Sequence, residues 1–329
     1  MAHPFSDYIK IIGKGQKGAR SLTRDEARVA MQMLLSGDVT HDQRGAFLML
    51  LRTREETPAE VTGLLEACRA LIVPEIRSLN IDIDVGCYAG KRRQLPWYLL
   101  SVALLARKGY RILMHGAHEP GSGRLYASHV LPYLGLVLSS KASEANSSLD
   151  THSAAYLDLG VVLPALDTLI KLRDQFGLRS CANTLGRLLN PTLAPFSIQG
   201  VFHQHLDEKH GEVNAAFSQY ASLCFRGDGG DPEVNGERAT DLFFTRNGET
   251  CRQVLPAQTD TWATKERLMT AQPLLHVWQG GSHQYGEQAV HSTLTAYLML
   301  CENLHADDAK TQAMYMWTSR DKSSLPFAG

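Results

Sequence analysis

Residues 22–70 read LTRDEARVAMQMLLSGDVTHDQRGAFLMLLRTREETPAEVTGLLEACRA, and three helix starts stand out in them. Thr23, Thr40 and Thr57 are each followed three residues later by Glu26, Gln43 and Glu60. In that pairing a hydroxyl and an acid or amide satisfy each other's backbone N–H groups. Pro58 takes the first helical position after Thr57, where its missing N–H costs nothing. Apolar residues then recur at helical spacing: Ala27, Ala30, Met31 and Leu34; Phe47, Leu48, Leu50 and Leu51; Val61, Leu64, Leu65 and Cys68. Gly37 and Asp38 separate the first helix from the second. Three helices this short bury too little surface to stand alone. The pattern predicts a compact helical unit that packs on a partner.

From Leu79 onward short apolar runs alternate with helical patterns, the mark of an α/β body. Strands are expected over 81–85, 111–115, 197–202 and 222–226, with helices over 97–108, 127–134 and 163–176. Residues 242–245 and 250–254 flank Arg246-Asn247-Gly248-Glu249 as a hairpin, and His283 to Leu304 reads as the final long helix. The expected fold class is α/β, with a small N-terminal helical domain over 1–78 and a larger α/β domain over 79–329, some of whose helices could pack back on the first. A chain of 329 residues holds two such cores. Its 44% apolar and 20% charged residues argue against disorder.

The six cysteines, Cys68, Cys87, Cys181, Cys224, Cys251 and Cys301, form no C-x-x-C pair, which suits reduced thiols and a cytoplasmic location. The start, MAHPFSDYIK, lacks an apolar signal core, and no apolar run reaches membrane-spanning length, so no membrane partner is expected.

The stretch with chemical content is DVGCYAGKRRQLPW, Asp84 to Trp97. A strand running into Gly86, a turn, Gly90 and then a helix is a layout in which backbone N–H groups cradle an anion. Lys91, Arg92 and Arg93 follow at once. Spacing alone leaves two readings: a solvated helix entrance, the usual place for a charge run, or a polyanion site. Cations at a helix N-terminus oppose its macrodipole, and a bound polyanion would offset that cost. Arg124 and Arg187 are expected near the same opening. The net charge of -1 hides asymmetry: residues 85–141 carry eight cations against Glu119, and residues 207–241 carry eight acids against three cations. Segregation of that kind can create a strong local field. Lys14 and Lys17, within the glycine-rich 13–18, form a basic edge without the Gly-Lys-Ser/Thr ending of a Walker loop.

Leu22 to Ala70, together with LRDQFGLRSCANTLGRLLNPTLAPFSIQGVF from Leu172 to Phe202, resembles anthranilate phosphoribosyltransferase and its nucleoside phosphorylase relatives over nearly the whole chain. The resemblance implies a helical domain plus an α/β domain, dimerising through the helical part. The working residues of those enzymes match poorly. Their G-T-G-G-D-G loop corresponds to Gly86-Cys87-Tyr88-Ala89-Gly90-Lys91, which keeps only the outer glycines. Their N-x-S-T motif falls on Pro96, Trp97, Tyr98 and Leu99, none of which offers magnesium a hard oxygen ligand at ordinary protonation. Their K-H-G-N-R loop becomes Met114-His115-Gly116-Ala117-His118. Arg173 matches a residue that grips anthranilate, and Leu163 replaces a histidine. The acidic pair for a second metal falls near Asp231-Pro232, with Glu233 one place late. Arg187 stands where the enzymes have proline.

Gly90-Lys91-Arg92-Arg93 and Met114-His115-Gly116 resemble the YbiB-type members more closely. That resemblance implies a homodimer that binds DNA and RNA with little sequence preference and lacks anthranilate phosphoribosyltransferase activity. The expectation is therefore a nucleic-acid-binding homodimer with Lys91, Arg92, Arg93, Arg124 and Arg187 on the phosphate backbone. Gly86, Gly90, His115 and Gly116 would be the remnant phosphate loops, and Arg173 the remnant substrate residue. No cofactor or metal is expected. The alternative is a phosphoribosyltransferase or nucleoside phosphorylase with a divergent substrate, which would need Mg²⁺. Trp97, Tyr98 and Tyr126 could stack on unpaired bases, though core packing is the usual role of such aromatics. His203 and His205 would share one face of a strand, with surface histidines the default reading and a metal site the alternative.

Overall fold

The structure is a computed structural model that describes residues 3–15, 17–119, 121–259, 262–264, 266 and 268–328. Met1 and Ala2 of the N-terminal segment and Gln16 of the glycine-rich stretch lie outside the described residues. Helix α1, Ser6–Gly13, precedes the three capped helices α2 (Arg24–Ser36), α3 (His41–Arg54) and α4 (Pro58–Ala70). In each of these three the threonine and its partner make both reciprocal bonds, so the caps lie where the residue types place them. Phe5, Ile12, Met31, Phe47 and Leu64 are fully buried in a core that also takes in Leu166, Leu169, Leu185 and Leu188. Those last four belong to helices Pro164–Lys171 and Ala182–Leu188. The partner that the short helices require is thus supplied from far downstream, and the helical lobe is discontinuous in sequence.

Among the described residues seven strands form one sheet: β1 Ile83–Gly86, β2 Ile112–Gly116, β3 Ala154–Asp158, β4 Phe196–Val201, β5 Ala221–Arg226, β6 Thr240–Arg246 and β7 Glu249–Leu255. Their order is β3-β2-β1-β4-β5-β6-β7, parallel through β5 and antiparallel for the hairpin β6–β7. The parallel strands are buried on both faces, as crossover helices demand. A second core of Ile83, Val85, Trp97, Tyr98, Ile112, Leu223, Trp278 and Tyr297 covers the other face. From β1 the chain steps to β2 on one side, while β4 lies on the other. The crevice at the carboxyl ends of β1 and β4 is therefore the topological switch point, where open α/β sheets bind ligands.

Two expected helices are interrupted. The 163–176 segment divides into Pro164–Lys171 and Arg173–Phe176, and 127–134 becomes Ala127–Val130 followed by the 3₁₀ turn Leu131–Leu134. Pro132, which has no N–H to give an α-helical bond, sits inside that turn. The long helix runs Gln284–Cys301 and is not the last, because Ala306–Thr318 follows and places Trp317 edge-on to Trp278. Among the described residues no helix is long and apolar enough to cross a membrane.

Candidate functional site: a self-filled anion cradle

The loop leaving β1 forms the N–H cradle that its glycines predict, and the chain fills it. Gly90 adopts φ +66, and the N–H groups of Ala89 and Gly90 donate to Oδ1 of Asp231 at 3.1 and 3.3 Å. Asp231 follows the 3₁₀ turn Asp228–Gly230 beyond β5, and its side chain is buried. Burial lifts its carboxyl above the usual range, while Lys91 and the two N–H groups pull the other way. A carboxylate thus occupies the donors that a phosphate oxygen would use.

Lys91 departs from its expected role. It does not line a groove: its side chain is wholly buried, with Nζ 2.8 Å from Glu233 Oε1 and 3.1 Å from Asp228 Oδ2. It also donates to the Asp228 carbonyl at 2.9 Å. Desolvation opposes this charge, but the attraction of Asp228, Glu233 and Asp231 outweighs it, and the ammonium is held above its ordinary pKa. Desolvation lifts the Glu233 carboxyl to about 7 against the pull of Lys91. With three oxygens within hydrogen-bonding reach of the ammonium, the charged pair is the form the geometry favours. The helix after the loop starts at Tyr98 rather than beside the cations, and the Tyr98 N–H donates to Glu233 Oε2 at 2.8 Å. An internal acid therefore meets the positive end of this helix.

The other loop residues turn inward. Cys87 and Tyr88 are buried, and the Tyr88 hydroxyl lies 2.7 Å from His115 Nδ1. His115 Nε2 approaches Asp84 Oδ1 to 2.9 Å without hydrogen-bond geometry, so among the described residues the Tyr88 hydroxyl is what orients this buried ring. Gly116 is needed because a Cβ there would fall 2.2 Å from the Cys87 carbonyl oxygen. Gly86 lies against the backbone of Arg187. Trp97, Tyr98 and Tyr126 are buried, which gives them the core role and no stacking surface.

At the mouth, Arg92 and Arg93 are exposed, and Arg92 Nη2 donates to the Ser122 carbonyl at 3.1 Å. Arg124, partly exposed, spans the Ala89 and Gly90 carbonyls from Nη1, each at 3.0 Å. Arg173 pairs with Glu119, and Arg179 reaches the same carboxylate at 3.1 Å. Arg187 is buried, which removes it from the outer surface where it was expected. Burial depresses Arg124, with Arg179 and Arg92 adding like-charge repulsion, and burial with Arg179 brings Arg187 down to about 10. Arg92 and Arg179 thus lie close enough to Arg124 to repel it, and Arg179 close enough to Arg187. Sequence reasoning missed Arg179 and the pairing of Lys91 with Asp228 and Glu233. The acid-rich 207–241 was the visible signal for the latter, because it supplies both acids.

A magnesium ion of the kind the transferase reading requires does not fit here. Lys91 already sits against Asp228 and Glu233, and Asp231 is bound to the loop N–H groups. Among the described residues no group of three or more His, Cys, Asp or Glu side chains could hold a metal. β4 ends at Val201, and His205 takes φ +66, so His203 and His205 share no strand face.

Fold and loop together define a phosphoribosyltransferase-like protein with a helical bundle on an α/β sheet. Residues 6–71 match the glycosyl transferase family helical bundle domain and residues 99–309 match that family's a/b domain. The chain belongs to glycosyl transferase family 3. It is 28% identical to the Escherichia coli protein YbiB over 71% of this chain and 74% of that one. It is 29% identical to anthranilate phosphoribosyltransferase of Symbiobacterium thermophilum over 70% of this chain and 67% of that one. Among solved structures, the Thermus thermophilus anthranilate phosphoribosyltransferase superposes with a TM-score of 0.79, at 20% identity and 97% coverage of both chains. The Saccharomyces cerevisiae enzyme in complex with PRPP and Mg superposes with a TM-score of 0.74, at 16% identity, covering 96% of this chain and 93% of that one.

Proposed function

We propose that this protein is a cytoplasmic homodimer, paired through its helical part, that binds DNA or RNA by the phosphate backbone with little sequence preference and uses no metal or cofactor. The observation that carries the reading is the self-filled cradle. The donors and acids that a diphosphate and its metal would need are engaged by Asp231, Lys91 and Glu233. Just outside, Arg92, Arg93 and Arg124 offer positive charge to solvent. Relative to the sequence expectation, the proposed contact set loses Lys91 and Arg187 to the interior. Backbone contacts of this kind position a strand without reading its bases.

Fluorescence anisotropy with a labelled single-stranded oligonucleotide at several salt concentrations tests this. Three phosphate contacts per protomer give a log–log salt slope of about -2, at roughly 0.7 per contact for single strands. A flat titration at micromolar protein refutes the proposal. The second reading, transfer of a phosphoribosyl group to a divergent acceptor, is favoured by the anthranilate phosphoribosyltransferase relatives and the fold match. It requires Asp231 and Lys91 to vacate the positions described above.

A further inference from the structure

Arg187 is a buried guanidinium with no carboxylate in ion-pair contact among the described residues. It is 8% exposed, and its one hydrogen bond among the described residues runs from Nη1 to the Asn183 carbonyl at 2.7 Å. Buried charges are ordinarily paired, because an unpaired one forfeits hydration without return. Here Arg179 adds like-charge repulsion, and Asp231 is committed to the loop N–H groups. The side chain lines a recess of about 60 Å³ with Arg52, Arg179, Ser180, Asn183 and His203. Asn183 is 7% exposed, and its Oδ1 has no hydrogen-bond partner among the described residues. The recess adjoins the carboxyl end of β4 at Val201, the switch point of the sheet.

This recess shares Arg52, Ser180, Thr184, His203 and Leu206 with a larger cavity of about 330 Å³, whose walls add Glu55, Glu56, His205 and Lys209. The two differ in chemistry. The inner space is cationic and has the size of one phosphoryl group. The outer one falls in the range of small-ligand pockets and offers carboxylates and imidazoles that accept hydrogen bonds from hydroxyl and amino groups. Phe202, 59% exposed, stands at the rim beside the His203 ring.

We propose that Arg187, Arg179 and Arg52 form a subsite for a phosphomonoester carried on a nucleoside, with the phosphate in the inner recess and the nucleoside in the outer cavity. Asn183 Oδ1 is then the acceptor for a hydroxyl of the ligand. The site is separate from the outer arginines of the polymer reading and stands whether or not a strand binds there. The same group comes either from a free nucleoside monophosphate or from the 5′-phosphorylated end of a strand.

Thermal unfolding of the full chain is followed with inorganic phosphate, adenosine, adenosine 5′-monophosphate, and an oligonucleotide with or without a 5′-phosphate. The monophosphate is expected to raise the melting temperature at millimolar concentration, and adenosine to leave it unchanged. Arg187→Met is expected to melt no lower than the natural chain, since it removes an uncompensated buried charge, and to lose the ligand-induced rise. Should Arg187→Met not fold, the exposed rim variant Arg52→Ala is expected to weaken binding at least about fivefold by calorimetry, one lost charge-assisted contact. A stronger effect of the 5′-phosphorylated strand than of its 5′-hydroxyl twin assigns the strand end as the source, and equal effects assign the free nucleotide. The proposal is overturned if millimolar monophosphate produces no shift in the natural chain or if the Met variant retains it. Equal shifts from phosphate and monophosphate overturn the nucleoside half.

Discussion

Replacing Lys91 with methionine is expected to destabilise the protein by about 3–5 kcal/mol, the usual cost of removing one partner of a buried ion pair. Urea denaturation monitored by tryptophan fluorescence measures it. Methionine keeps most of the volume, so the loss reports charge rather than packing. Glu233 and Asp228 would remain with the ammonium gone, and Glu233 is wholly enclosed. The double variant Lys91→Met, Glu233→Gln is expected to recover more than half of the loss, because the enclosed carboxylate that needed the ammonium is then neutral. If Lys91→Met instead unfolds like the natural chain and loses affinity for oligonucleotides, Lys91 is a surface ligand and the buried pair described here is wrong.

Reversing the outer charges has the largest expected effect on binding. Arg92→Glu with Arg93→Glu changes the local charge by four units at the mouth, on side chains already exposed. At roughly 1 kcal/mol per unit charge at contact in water, less screening, affinity for a single strand falls by about 2–4 kcal/mol, or ~30-fold to ~1,000-fold. The salt slope shrinks by about 1.4 as two phosphate contacts disappear. Unfolding stability changes little, because neither residue forms an ion pair among the described residues. An unchanged slope in the anisotropy titration places the strand elsewhere on the molecule.

These two experiments separate residues that stand side by side in the chain. Lys91-Arg92-Arg93 read as one cationic run, yet the backbone of Lys91 bridges Leu125 and turns its side chain inward, while its two neighbours face solvent. Local patterning cannot distinguish the three, since burial of a lysine depends on acids more than 130 positions away. The same limit applies to the lopsided charge. The cation-rich 85–141 and the acid-rich 207–241 suggest opposing fields, but part of each is spent against the other at Lys91, Asp228 and Glu233. What short-range chemistry determines was legible. The capping boxes at Thr23, Thr40 and Thr57, the glycine at the end of β1 and the hairpin at Asn247-Gly248 all appear as read. β3, an alanine-rich run of five residues, has too weak a pattern to announce itself, and it owes its place to pairing with β2. Arg187 was named for the right charge and the wrong surface. Its position opposite Gly86 is set by how the helix Ala182–Leu188 packs on β1, which no spacing rule reports.

The proposed reading expects no transferase chemistry, and the same contacts are the reason. Departure of a diphosphate is assisted by cations clamped on the leaving group and donors aimed at its oxygens. Here the donors of Ala89 and Gly90 already hold Asp231, and the acids are already neutralised by Lys91. Glu119 similarly occupies Arg173, the residue that the family resemblance matches to one that grips anthranilate. On the proposed reading, Asp231, Lys91 and Glu119 hold the places that a substrate complex would need. The most direct test is calorimetric titration of phosphoribosyl diphosphate with millimolar magnesium into the natural chain. The cradle being full, no saturable heat is expected, and the melting temperature is expected to stay where it was. Saturable, magnesium-dependent binding would contradict the account, because it would require Asp231 and Lys91 to give way to a ribosyl donor.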